Sequence, residues 1–311
     1  MASTTHRARV LLTGASGFIG RAAIGPLLES GFEVHAVARH PLAGVAQVNW
    51  RQADLLNEDA LRDAVLSIKP THLLHFAWYA EPGKYWTSTA NVDWLRASLL
   101  LLRTFHECGG RRAVMAGTCA EYEWSSDVYS ESASPLRPET LYGTCKNALH
   151  DVFVAFSRQA ELSSAWGRIF FPFGPHEHMS RLIPSVACSL LKGQVAECTP
   201  GEQVRDFMHV DDVAAAFVAL LASDVQGAVN VGSGAGVRVK EIVCNIGDQI
   251  GRSDLIRLGA RPMAAGDPPS IVADVGRLER EVGWRPSRSF DQALSETVNW
   301  WRARERHVST P

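Results

Sequence analysis

The chain has little that would tie it to a membrane, a nucleic acid or a disulfide framework. Its formal net charge is −2 over 311 residues. That is no basic excess of the kind that draws a protein to nucleic acid or an anionic lipid surface, and neither partner is expected. No stretch approaches the ~20 apolar residues that a membrane span requires. The dense patch Ser98 to Leu102 is flanked by Arg96 and Arg103. Met1 to Arg9 is polar and basic, and the apolar run behind it stops at Val10-Leu11-Leu12, too short for a secretory h-region. The six cysteines are scattered without a Cys-x-x-Cys pair, which argues against zinc and disulfide scaffolds and fits a reduced, cytoplasmic setting. His176-Glu177-His178 has no third ligand at helical spacing, so no metal is expected.

What is present is an ordinary globular composition, 46% hydrophobic and 21% charged, in a chain long enough for one large or two intimate domains. Arg9 to Thr13 reads as a short buried strand. Gly14-Ala15-Ser16-Gly17-Phe18-Ile19-Gly20 follows and opens a helix. Glycines spaced by three after a first strand allow a tight turn, close approach of a pyrophosphate, and close packing of helix on strand. The helix start offers free N–H groups to phosphate. The second strand, Phe32 to Ala38, lacks the acid that usually ends it in NAD sites. Arg39 and His40 stand there instead. A guanidinium grips a 2′-phosphate that a carboxylate would repel, so NADP(H) is favoured over NAD(H).

A third strand is expected at Gln47 to Trp50, with Asp54-Leu55 behind it in position to meet an adenine. A fourth runs Thr71 to Ala77 and includes His75, expected as a core histidine, and Phe76. The aromatic, irregular segment from Trp78 to Trp86 follows at a strand's carboxyl end, where open α/β sheets bind ligands. Tyr79, Lys84, Tyr85 and Trp86 are candidate substrate contacts there, with Trp78 at the segment's start. The helix from Asn91 to Cys108 is leucine-rich almost all round and needs cover on more than one side. The fifth strand leads into Gly117-Thr118-Cys119-Ala120, and Trp124 to Pro138 reads as a polar loop suited to lie over a site.

Tyr142 and Lys146 lie four residues apart at the start of the next amphipathic helix. That spacing puts phenol and ammonium on one face, and a neighbouring cation is expected to lower the phenol's pKa. Thr118, 24 residues earlier at a strand end, can meet the tyrosine over one substrate oxygen. Beyond Gly174 the rhythm changes. A short strand is expected near Val195. Val204 to Val213 leads into a helix, with Asp211 or Asp212 suited to its N-cap and first turn. Arg205 is a candidate phosphate ligand, or else pairs with a neighbouring aspartate.

Together these motifs resemble the extended short-chain dehydrogenase/reductases, in particular the nucleotide-sugar epimerase, dehydratase and reductase group. Gly14-x-x-Gly17-x-x-Gly20 is similar to the family's cofactor loop, Asp54-Leu55 to its adenine contact, and His75-Phe76-Ala77 to its fourth-strand signature. Thr118 matches the active-site Ser/Thr and Tyr142-x-x-x-Lys146 the catalytic pair. Arg205-Asp206-Phe207-Met208-His209-Val210-Asp211-Asp212-Val213 is the most specific match. The resemblance implies an α/β fold: a doubly wound parallel Rossmann sheet (residues 1–171 with about 202–235) and a smaller C-terminal substrate domain (172–201 with 236–311). It implies NAD or NADP at Gly14, Ser16, Gly17, Phe18, Ile19, Gly20, Arg39, Asp54, Leu55, Phe76, Ala77 and Lys146. A nucleotide diphosphate sugar would lie against Trp78, Tyr79, Thr118, Tyr142, Arg181, Arg205 and Asp267. A homodimer through the helices starting near Asn91 and Tyr142 is also implied.

Departures narrow the reaction. Family dehydratases carry Asp-Glu directly after the active-site Thr, where this chain has Cys119 and Ala120. Family enzymes that both epimerise and reduce use a Cys and a His where this chain has Ala120 and Arg181. The expectation is an NADPH-dependent 4-ketoreductase of a nucleotide-linked 4-keto-6-deoxyhexose. An NAD-dependent 4-epimerase is the alternative, and a non-catalytic NADP-binding sensor, which would not need both Tyr142 and Lys146, is the weaker one.

Overall fold

The computed structural model describes residues 7–308, so most of the basic, polar start lies outside the described residues. Strand and helix alternate from the outset. β1 (Arg9–Thr13), α1 (Phe18–Glu29), β2 (Glu33–Ala38) and β3 (Asn49–Gln52) are followed by α2 (Glu58–Ile68), β4 (His72–His75), α3 (Ala90–Glu107) and β5 (Arg112–Thr118). Then come β6 (Val128–Tyr129), α4 (Leu141–Gln159), β7 (Ser163–Ile169), β8 (Phe171–Phe173), α5 (Leu182–Leu191) and β9 (Ala196–Glu197). β10 (Val204–His209), α6 (Val210–Ala222), β11 (Gly227–Val231), β12 (Gly236–Arg238) and α7 (Val239–Ile250) lead to β13 (Ile256–Arg257), β14 (Ser270–Ala273), α8 (Gly276–Arg280) and α9 (Phe290–Val308).

Seven strands form one sheet in the order β3-β2-β1-β4-β5-β7-β11, every neighbour parallel. Alternate side chains serve opposite faces. Val10, Leu12, Leu74 and Val114 pack with Ala23 and Leu27 of α1 and Phe217 of α6. Leu11, Leu73 and Met115 pack with Leu61 of α2, Phe105 of α3 and Leu149 and Phe153 of α4. Both faces are covered, so the strands read as apolar runs rather than alternating ones. Each fully buried ring among these contributes about 2 kcal/mol by removal from water. The strand order reverses between β1 and β4, and at that switch point the carboxyl ends of the strands leave a crevice.

A smaller sheet runs β12-β10-β14-β6, with β8 joined to β10. It packs on α5, α7 and α9 through Phe173, Ile183, Val243, Leu294 and Trp301. Several expectations are corrected here. β10 hydrogen-bonds into this small sheet rather than the Rossmann part expected for residues 202–235; within that stretch β11 joins the large sheet and α6 packs against it. The segment Trp124 to Pro138 is more than a loop, because it contains β6, which pairs with β14 through Val128 and Tyr129. The helix after β10 starts at Val210 and is capped by His209, whose Nδ1 accepts from the Asp211 N–H at 3.3 Å. Asp211 and Asp212 occupy its first turn, as expected, while the cap itself is His209. No described helix is long and apolar enough to cross a membrane.

Candidate active site

The glycine loop lies at the switch point, between β1 and α1. Gly14 has φ +68°, and a Cβ there would meet Ala77 N at 2.7 Å. A Cβ at Gly20 would meet Gly14 O at 2.2 Å. The loops after β1 and β4 are thus backed against each other, and α1 packs onto the turn as closely as backbone permits. The helix is capped by Gly17, without a side-chain cap, and has no acid in its first turn. Its free N–H groups and positive end fit a dinucleotide pyrophosphate. Ser16, Phe18 and Ile19 are partly exposed around it, and Arg39 and His40 are exposed at the end of β2.

The other expected cofactor contacts divide. Asp54 is exposed, with its carboxylate accepting from Leu56 N at 3.0 Å. Leu55 turns into the core. Phe76, half-buried, packs edge-on to Phe217 at 4.9 Å, and Ala77 is buried. His75 is a core residue as expected. It is held between Thr13 Oγ1 at 2.7 Å and Ser98 Oγ at 2.9 Å, and burial pushes its pKa down to about 3. It stays neutral.

Thr118 ends β5. Its backbone N–H donates to Glu121 Oε1 at 2.8 Å, and its hydroxyl accepts from Ala120 N at 3.2 Å. Thr118-x-x-Glu121 is a capping box around a short 3₁₀ turn, Cys119–Glu121. That signature was available in the sequence, but Glu121 was not singled out. Glu121 is fully buried. Its carboxylate also takes Trp166 Nε1 at 3.0 Å and Arg168 Nε at 2.7 Å, which leaves no free carboxylate beside Thr118. Burial raises the Cys119 thiol to about 12, so it is inert as a nucleophile.

Tyr142 stands in the first turn of α4, its N–H donating to Trp86 O at 3.1 Å. Its ring meets Tyr85 edge-on at 4.8 Å and Trp86 at 5.7 Å. Burial drives the phenol's pKa well up, Tyr85 adds to that, and a hydrogen bond with Thr118 partly offsets it. The net shift is upward, against the lowering expected beside a cation. Lys146 is 4% exposed. Its Nζ donates to Ala116 O at 2.8 Å and lies 3.9 Å from the centre of the Trp78 ring. Burial pulls its own pKa down to about 7, with Glu121 opposing. The shared helix face brings the two residues to one site, but the ammonium is aimed at the sheet.

Among the expected substrate contacts, Trp78 lines this centre, whereas Tyr79 donates outward to Glu81 at 2.9 Å. Arg181, exposed just before α5, places its guanidinium 5.6 Å from the Tyr85 ring. Arg205 Nη2 bonds Asp267 Oδ1 at 2.6 Å, so the aspartate pairing is realised. The Arg205 charge also favours the ionised form of the Cys119 thiol, against the larger effect of burial.

A family profile described as NAD dependent epimerase/dehydratase family matches residues 10–232. The chain belongs to that family. It is an enzyme of the extended short-chain dehydrogenase/reductase type. A UDP-glucose 4-epimerase of Streptomyces lividans is 27% identical over 94% of this chain and 95% of its own length. A CDP-abequose synthase of Salmonella typhimurium is 26% identical over 93% and 97%. The structure of MoeE5 in complex with UDP-glucuronic acid and NAD superposes with TM-score 0.83 at 30% identity, covering 96% of this chain and all of that one.

Proposed function

We propose that this enzyme is an NADPH-dependent 4-ketoreductase of a nucleotide-linked 4-keto-6-deoxyhexose. The observation that carries this is a single proton donor. Tyr142, kept neutral by burial, stands beside Thr118, and the two positions after Thr118 offer only an inert thiol and a methyl group. Elimination of water across a sugar ring needs an acid and a base there; delivery of one proton to one reduced carbonyl does not. When bound, the nicotinamide coenzyme supplies the hydride. Tyr142 protonates the developing alkoxide, Thr118 hydrogen-bonds the same oxygen, and Lys146 supports the site's charge from below. The Gly14-x-x-Gly17-x-x-Gly20 turn holds the pyrophosphate, and Arg39 favours NADPH, although the MoeE5 structure contains NAD. Arg205, Asp267 and Arg181 would hold the nucleotide diphosphate sugar. Val92 and Val152, exposed on α3 and α4, support a homodimer joined through those helices.

A 4-epimerase is the second reading, favoured by the resemblance to the Streptomyces lividans UDP-glucose 4-epimerase. Purified protein with NADPH and a nucleotide-4-keto-6-deoxyglucose should consume NADPH stoichiometrically with ketone. Interconversion of UDP-glucose and UDP-galactose without net nicotinamide change would decide for the epimerase.

A further inference from the structure

Lys146 is buried with a charge and one conventional acceptor, the Ala116 carbonyl. An ammonium carries three N–H donors, and burial makes each partner within the chain count for more. The buried Glu121 carboxylate favours the charged form of Lys146, and the neutral His75 feels that charge; the indole of Trp78 lies 3.9 Å from Nζ to ring centre. A ring face at that distance attracts a cation, most strongly where the pair is desolvated.

The indole is itself held. Its Nε1 donates to Asn91 Oδ1 at 2.8 Å. Asn91 is fully buried, and its amide donates to Tyr85 O at 2.7 Å and Ser88 O at 2.8 Å. Indole nitrogen is only a donor, so the asparagine oxygen must face Trp78 and both amide hydrogens are committed to the 85–88 segment. That same segment offers Trp86 O to the Tyr142 N–H and packs Tyr85 and Trp86 on the Tyr142 ring. One chain of contacts therefore runs from the first turn of α3 to both polar groups of the site.

We propose that Trp78 is a positioning residue: pinned by Asn91, its ring face holds the Lys146 ammonium in place beneath Tyr142. This rests on the ketoreductase reading only where turnover is concerned. Without the ring, Lys146 loses that partner, sheds its proton more readily, and no longer presents a fixed charge to the site.

The test labels lysine at ¹³Cε. The chain has only five lysines, and Lys146→Arg assigns the signal. In the cofactor-free wild-type protein the Lys146 Hε protons should be shifted upfield by the indole ring current, away from the other four. In Trp78→Leu the Lys146 titration midpoint should fall by about one pH unit, and in Trp78→Phe, which keeps a ring face, by less. With NADPH and ketosugar, Trp78→Leu should lose roughly tenfold in kcat. The high-pH limb of its activity should move down with the NMR midpoint. Lys146 Hε signals that coincide with the other lysines, or an unchanged midpoint in a folded Trp78→Leu, would overturn the proposal. The wild-type ring-current measurement decides even if Trp78→Leu does not fold. Because the spectra need no substrate, they stand apart from the ketosugar assay: absent turnover in wild type counts against the ketoreductase alone.

Discussion

Tyr142 and Lys146 share a helix face, yet removal from water shifts them in opposite directions: the phenol's pKa rises and the ammonium's falls to about 7. Burial penalises the charged form of each, so the phenol remains a proton donor through the neutral range. Tyr142→Phe should leave the fold intact and reduce kcat by at least about a hundredfold, read by nicotinamide absorbance. For Lys146 the consequence is also thermodynamic. Its folded pKa lies below the ordinary 10.5. Below about pH 7 both folded and unfolded chains hold the proton, and the burial penalty is fully present. Between about pH 7 and 10.5 the unfolded chain keeps the proton that the folded one releases, so the penalty is progressively relieved. Lys146→Met should therefore raise Tm at pH 6 and have a much smaller effect at pH 10, and calorimetry at the two pH values checks this. Glu121 belongs to the same scale. Glu121→Ala would strand the Arg168 guanidinium, 1% exposed, without its carboxylate. Breaking a buried pair in this way costs about 3–5 kcal/mol, and thermal melts should show a loss on the order of 10 °C. The exposed Arg39 gives the opposite kind of test: Arg39→Ala should raise KM for NADPH roughly tenfold, leave that for NADH unchanged, and not alter Tm.

At the scale of elements, the site depends on how closely α4 approaches the 3₁₀ turn after β5. A Cβ on Gly143 would meet Ala120 O at 2.3 Å and Pro138 Cβ at 2.8 Å. Backbone cannot yield as a flexible side chain can, so Gly143→Ala should push the start of α4 away from the turn. Tyr142 would then separate from Thr118 while Lys146, one helical turn further in, stays packed. The expected result is a kcat loss of ten- to a hundredfold, about what misplacing a reacting group by an ångström produces, with little change in cofactor affinity by titration calorimetry. This element was half legible beforehand. The i, i+4 spacing of Tyr142 and Lys146 predicted a common face, and the Thr118-x-x-Glu121 signature encoded the cap. Spacing along a helix carries no information about what the sheet offers, and Ala116 O and Trp78 redirected the ammonium. Leu55 and Phe76 show the same limit, because a motif position fixes the backbone while the side chain follows the nearest apolar face.

Across the whole molecule, the large sheet was readable because each strand is an apolar run followed by a helix of clear period. The small sheet was not. Its edge strand β6 is two residues long and pairs with β14 more than 140 residues later, from Val128 to Val272, and no local pattern specifies such a pairing. Two polar residues join the sheets: Asn230 of β11, whose amide donates to Tyr129 O of β6 at 2.8 Å, and Asp206 of β10. Its buried carboxylate accepts from Ser233 N at 2.7 Å and Gly234 N at 3.0 Å, just beyond β11 of the large sheet, and from Ala273 N at 3.0 Å at the end of β14 of the small one. The next residue before it, Arg205, pairs with Asp267, so the junction and the candidate phosphate ligand share one strand. Asp206→Ala leaves three backbone N–H groups without a partner, each costing about 1–3 kcal/mol. If that carboxylate is what makes the two sheets unfold together, the variant should melt in two separate transitions, the small sheet first, where the wild type melts in one. A single transition merely shifted to lower temperature would place the coupling elsewhere, in Asn230 or in the apolar contacts between β8, β10 and α6.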